Sequence, residues 1–94
     1  VKIYQDLDTC PGQKYTLTYA WSPRGGYASA MDVYWGDELV ASHLGNTSGW
    51  TLETHTVTGD GLSTQLAFIE TGPADSFGMF LDAVSVTKCD VTCP

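Results

Sequence analysis

Along most of this chain apolar and polar residues alternate with a period of two, and no segment repeats apolar residues at helical spacing. The pattern predicts seven strands. The first runs from Lys2 to Leu7, with Ile3, Gln5 and Leu7 on one face, and stops before the turn residues Cys10-Pro11-Gly12. The second, Tyr15 to Trp21, sets Tyr15, Leu17, Tyr19 and Trp21 against Thr16, Thr18 and Ala20. The third, Ala30 to Trp35, gathers Met31, Val33 and Trp35 opposite Asp32 and Tyr34, and Gly36-Asp37 turns it into a fourth, Glu38 to Leu44. Trp50 opens a Thr-rich fifth strand reaching Val57 or Thr58, and Gly59-Asp60-Gly61 closes it. In the sixth, Leu66, Phe68 and Glu70 alternate with Ala67 and Ile69. The seventh, Met79 to Thr87, places Met79, Leu81, Ala83 and Ser85 on one side and Phe80, Asp82, Val84 and Val86 on the other. The expected class is therefore all-β, an antiparallel two-sheet β-sandwich. Its roomiest loops are residues 22–29 and 71–77.

The chain has 94 residues, enough for a single core, so it is expected to form one domain over 1–94 with a cysteine-containing tail from 88 to 94. Eleven acidic residues against four basic ones give a net charge of −7, which disfavours nucleic acid and anionic membranes as partners. No apolar run approaches the roughly 18 residues of a membrane span, and no signal-like segment opens the chain, which for a secreted protein means a mature form. Cys10 stands near one end and Cys89 and Cys93 at the other, without the CxxC pair and fourth ligand of a zinc site, so disulfide use is favoured and one thiol is left over. Asn46-Thr47-Ser48 is an N-glycosylation sequon in a Gly-rich connection. Cysteines and sequon together point to an extracellular protein, secreted or on a cell surface.

Catalytic signals are weak. Glu53 and His55 lie two apart on one strand face, close enough to pair, with no assignable nucleophile or second carboxylate. Ser48, Ser76 and Ser85 lack a GxSxG elbow, His43 has no identifiable partner, and nothing selects a glycosidase pair among Asp32, Glu53 and Glu70. The expectation is a protein that is not an enzyme.

Taken in order, Tyr4-Gln5, then Pro11-Gly12-Gln13-Lys14-Tyr15-Thr16-Leu17, Val33-Tyr34-Trp35-Gly36, Gly49-Trp50-Thr51 and Phe80-Leu81-Asp82-Ala83-Val84-Ser85-Val86 resemble the carbohydrate-binding-module-like jelly rolls of the galactose-binding fold. The resemblance covers almost the whole chain. It implies two antiparallel sheets packed face to face, with Trp50 plugging the core. It implies a structural calcium near Asp82, to which Asp75 or another chain would add ligands. The family topology also brings the turn after the first strand near the end of the last, implying a disulfide from Cys10 to Cys89 or Cys93. An N-terminal strand with its own acidic residue normally precedes the segment that begins here at Val1, so a vacant edge or exposed apolar groove is expected.

Two functions follow. A glycan-binding module, attached to a secreted enzyme or adhesin, predicts exposed aromatic rings for a polysaccharide, with Trp21, Tyr27, Asp32 and Tyr34 as candidates and Phe77 as a further platform. A structural or adhesive subunit predicts that copies of the chain, or neighbouring subunits, complete each other's vacant edge and cover Phe80 and Val84, the leftover cysteine locking the assembly. The early start, the odd cysteine and core positions for Trp35 and Trp50 favour the second. No cofactor other than calcium is expected.

Overall fold

The structure is a computed structural model that describes residues 2–23, 29–71 and 79–88. Among these there are seven strands and no helix, hence none long and apolar enough to cross a membrane. The strands are β1 (Lys2–Asp8), β2 (Lys14–Pro23), β3 (Ser29–Trp35), β4 (Glu38–Gly45), β5 (Thr51–Thr58), β6 (Ser63–Glu70) and β7 (Met79–Lys88). They form two antiparallel sheets, one in the order β1-β6-β3-β4 and the other β5-β2-β7. The chain is an all-β, two-sheet sandwich.

The alternation of the sequence becomes the inside and outside of this sandwich. Tyr15, Leu17 and Tyr19 of β2 and Met31, Val33 and Trp35 of β3 are buried, and Val57, Leu66, Phe68 and Met79 join them in one core. Tyr15 packs on Trp35 with ring centroids 5.8 Å apart, and Tyr19 meets Phe68 edge-on at 5.4 Å. Among the described residues every buried side-chain nitrogen and oxygen has a hydrogen-bond partner.

Two expectations about faces are corrected. Trp50 does not plug the core: it is 59% exposed, because the β2–β5 pairing starts at Trp21 and Thr51, and the residues of β5 in inward phase are Thr51, Glu53, His55 and Val57. In β7 the alternation breaks at a bulge. Asp82 pairs with Ala20 and Ser85 with Thr18, so Ala83 and Val84 together oppose Tyr19, and Ala83 takes a φ of 54°. Met79, Leu81 and Val86 then face inward, while Phe80 and Val84 are exposed.

Among the described residues the two sheets differ in width, four strands against three, and Ile3 of the wider one is left partly uncovered. Ile3, Gln5 and Leu7 of β1 pair with Phe68, Leu66 and Thr64 and so share their inward phase. Phe68 is 3% exposed, whereas Ile3 is 47% exposed. An opening of about 200 Å³ lies along this side, lined by Leu7, Asp8, Thr9, Tyr15, Val86 and Lys88.

Candidate functional site

Three surfaces or clusters carry chemistry. The first is the outer face of the four-stranded sheet. Register places Tyr4 of β1, Ala67 of β6, Tyr34 of β3 and Leu39 of β4 side by side, and Lys2, Ile69, Asp32 and Ser42 in the neighbouring row. Tyr4 and Tyr34 are thus two strand spacings apart, about 9.5 Å, with only a methyl group between them. Ala67 is nevertheless 2% exposed, since large side chains flank it on both sides. A shallow depression of about 280 Å³ lies beside it, lined by Lys2, Tyr34, Gly36, Asp37, Gln65, Ala67 and Ile69.

Polar groups on this face are pre-oriented. The Ser42 hydroxyl donates to Asp32 Oδ1 at 2.7 Å, Gln65 Nε2 donates to Asp6 Oδ1 at 3.3 Å, and Lys2 Nζ lies 4.9 Å from the centre of the Tyr4 ring. The arrangement offers aromatic surface next to carboxylate, amide and ammonium groups, the combination that binds a sugar ring by stacking and hydrogen bonding.

The second is a polar network between the sheets, on the side where β4 and β5 are the edge strands. His43 of β4, expected to lack a partner, has two: its Nε2 is 2.6 Å from the Tyr19 hydroxyl, and its ring stacks on Trp21 at 4.5 Å and 21°. The Trp21 indole N–H donates to Glu53 Oε2 at 3.2 Å, and Glu53 Oε1 pairs with His55 Nε2, also at 3.2 Å. Glu53 and His55 do form the pair their spacing suggests, with the carboxylate shared between His55 and Trp21. Burial, reinforced by the Glu53 charge, pushes the Tyr19 hydroxyl pKa up, so it stays protonated.

This network removes Trp21 from any platform with Tyr34 and Asp32. Trp21 continues the inward phase of Tyr19 and faces His43, whereas Asp32 and Tyr34 lie on the outer face of the opposite sheet. Tyr27 and Phe77 lie outside the described residues. Tyr4 was missed by sequence reasoning, although its even position in β1, opposite in phase to Ile3, marks it as outward.

The third is a solvent-facing apolar patch on the three-stranded sheet. Leu52 pairs with Ala20, and Phe80 pairs with Ser22, whose hydroxyl accepts the Gly49 N–H at 3.0 Å. Trp50, Leu52 and Phe80 are all exposed. Beyond them the outer face is hydroxyl-lined, with rows Thr54, Thr18, Ser85 and Thr56, Thr16, Thr87.

The remaining candidates are placed as follows. Asp82 sits at the β7 bulge, exposed, with Oδ1 accepting the Ala83 N–H at 2.8 Å, and Asp75 lies outside the described residues. Among the described residues no three His, Cys, Asp or Glu side chains come together as metal ligands. Cys10 is buried and disulfide-bonded, while Cys89 and Cys93 lie outside the described residues. Asn46 is exposed in the turn after β4.

No family model matches the chain. It is similar to part of the multifunctional-autoprocessing repeats-in-toxin of Vibrio vulnificus, 32% identical over 85 residues that cover 87% of this chain. It is likewise similar to part of the protein of the same name from Vibrio cholerae, 30% identical over 89 residues and 92% of the chain. The chain spans about 2% of the length of either relative, so what it is similar to is one small segment of two very long toxin chains.

Proposed function

We propose that the chain is a non-catalytic extracellular module of a larger protein, and that it binds a neutral glycan on the outer face of the β1-β6-β3-β4 sheet. The row Tyr4, Ala67, Tyr34 beside the depression at Lys2, Asp37 and Gln65 carries this reading. Outward aromatic side chains on a sheet lose no core packing when a ligand takes them, and a net charge of −7 selects against polyanionic chains. Similarity to segments of two repeats-in-toxin proteins supports the extracellular setting. The test is binding to a panel of neutral and anionic polysaccharides. Tyr4→Ala and Tyr34→Ala should each weaken binding of a neutral glycan by roughly tenfold and leave the melting temperature unchanged. A protein that binds no neutral polysaccharide, or binds equally after both substitutions, is not such a module.

A structural or adhesive role is the second reading, favoured by the partly uncovered Ile3 of β1. A strand added beside β7 would extend the three-stranded sheet under Ile3 and cover its exposed side chain. If another copy supplies that strand, the chain self-associates, and Ile3→Asp shifts the assembly toward monomer in sedimentation or light scattering. A concentration-independent monomer contradicts it.

A further inference from the structure

His43 projects from the edge strand of one sheet into the other. The groups that face it are the Tyr19 hydroxyl and Trp21 ring from β2, and the Glu53 carboxylate and His55 imidazole from β5. A neutral imidazole fits this position, sharing one ring nitrogen with Tyr19. Protonation would make both ring nitrogens donors and put a charge where little water reaches. Glu53 would offset part of that cost, but its two oxygens already accept from Trp21 and His55. His55, on the neighbouring strand of the other sheet, acts electrostatically against a proton on His43.

We propose that the side of the sandwich edged by β4 and β5 is an acid-sensitive seam: neutral His43 holds one sheet edge to the other, and its protonation loosens that edge. The direction follows from burial, which lowers the His43 pKa below the ordinary imidazole value; Glu53 opposes this and His55 adds to it. Because the folded value is depressed, the unfolded chain takes up the proton first. The contribution of His43 is complete above an ordinary imidazole pKa of about 6.5 and is lost as pH falls from there through the folded value.

The experiment is chemical denaturation of the protein between about pH 7 and about pH 5, with His43→Gln and His55→Gln alongside. For each unit by which the pKa is depressed, the folding equilibrium constant should fall about tenfold. His43→Gln, which keeps a hydrogen-bonding group for Tyr19 without a titrating one, should lose most of this decline, and His55→Gln should keep it. An equal decline in wild type and His43→Gln overturns the proposal. Should His43→Gln fail to fold, NMR titration of the wild-type protein decides. A His43 ring that titrates below an ordinary histidine, with β4 and β5 amides exchanging faster as it does, supports the seam; an ordinary pKa or unchanged exchange overturns it.

Discussion

The indole N–H of Trp35 donates to the main-chain carbonyl of Thr58 at 2.7 Å, so the bulkiest buried side chain of β3 is also a hydrogen bond from one sheet to the other. A carbonyl at the end of β5 is thereby satisfied from across the core. Trp35→Ala should lower stability by about 3–5 kcal/mol. Trp35→Phe keeps much of the apolar volume but leaves the carbonyl without this donor, and should cost about 1–3 kcal/mol. Denaturant midpoints at constant m-value measure both.

Trp50 gives the opposite outcome. A ring that is 59% exposed contributes little to the core, so Trp50→Ala should change stability by under about 1 kcal/mol. A loss of core-residue size would mean that the ring packs inward in solution.

The contrast shows what alternation can and cannot specify. In β2 and β3 large apolar residues recur at every second position, so Tyr15, Leu17, Tyr19 and Met31, Val33, Trp35 are legible as core. In β5 the inward positions include Glu53 and His55, which are tolerated because Trp21 donates to Glu53 and the Tyr19 ring stacks on His55, and the apolar Trp50 and Leu52 point out. That compensation comes from strands distant in sequence, and nothing local marks it. The β7 phase switch depends similarly on one backbone angle at Ala83. Strand number and the β3–β4 hairpin were legible, and Tyr34 and Asp32 were placed on an outward phase correctly. That Tyr4 and Gln65 lie beside them becomes visible only once β1 pairs with β6 and β6 with β3.

Gly59 should be less replaceable than its turn position suggests. Its N–H donates to the Gln13 carbonyl at 2.8 Å and its own carbonyl accepts the Gly12 N–H at 3.1 Å, holding it against the turn before β2. A Cβ there would overlap the Cys10 carbonyl oxygen, a main-chain atom that cannot rotate away. Gly59→Ala should destabilise by about 1–3 kcal/mol. Gly36, at φ 60°, should cost about 1–2 kcal/mol as alanine, with Asp60 close enough to add to it. A midpoint unchanged in either variant contradicts these contacts.

The same turn ties the disulfide to the core through Tyr15. The Tyr15 hydroxyl accepts the Cys10 main-chain N–H at 2.8 Å, both residues are buried, and Tyr15 packs on Trp35. Tyr15→Phe retains the ring and removes only the acceptor, leaving a buried donor unpaired at a cost of about 1–3 kcal/mol. Reduction acts on the other side of this turn by freeing Cys10, and a bridge to a cysteine at the far end of the chain would contribute about 4–5 kcal/mol by restricting the unfolded state. Non-reducing peptide mapping should recover Cys10 joined to Cys89 or Cys93. Unfolding curves should then show reduction lowering stability in wild type and Tyr15→Phe alike, because the hydrogen bond acts in the folded state and the crosslink chiefly in the unfolded one. Recovery of Cys10 as a free thiol, or an unchanged midpoint on reduction, would remove the crosslink from this account.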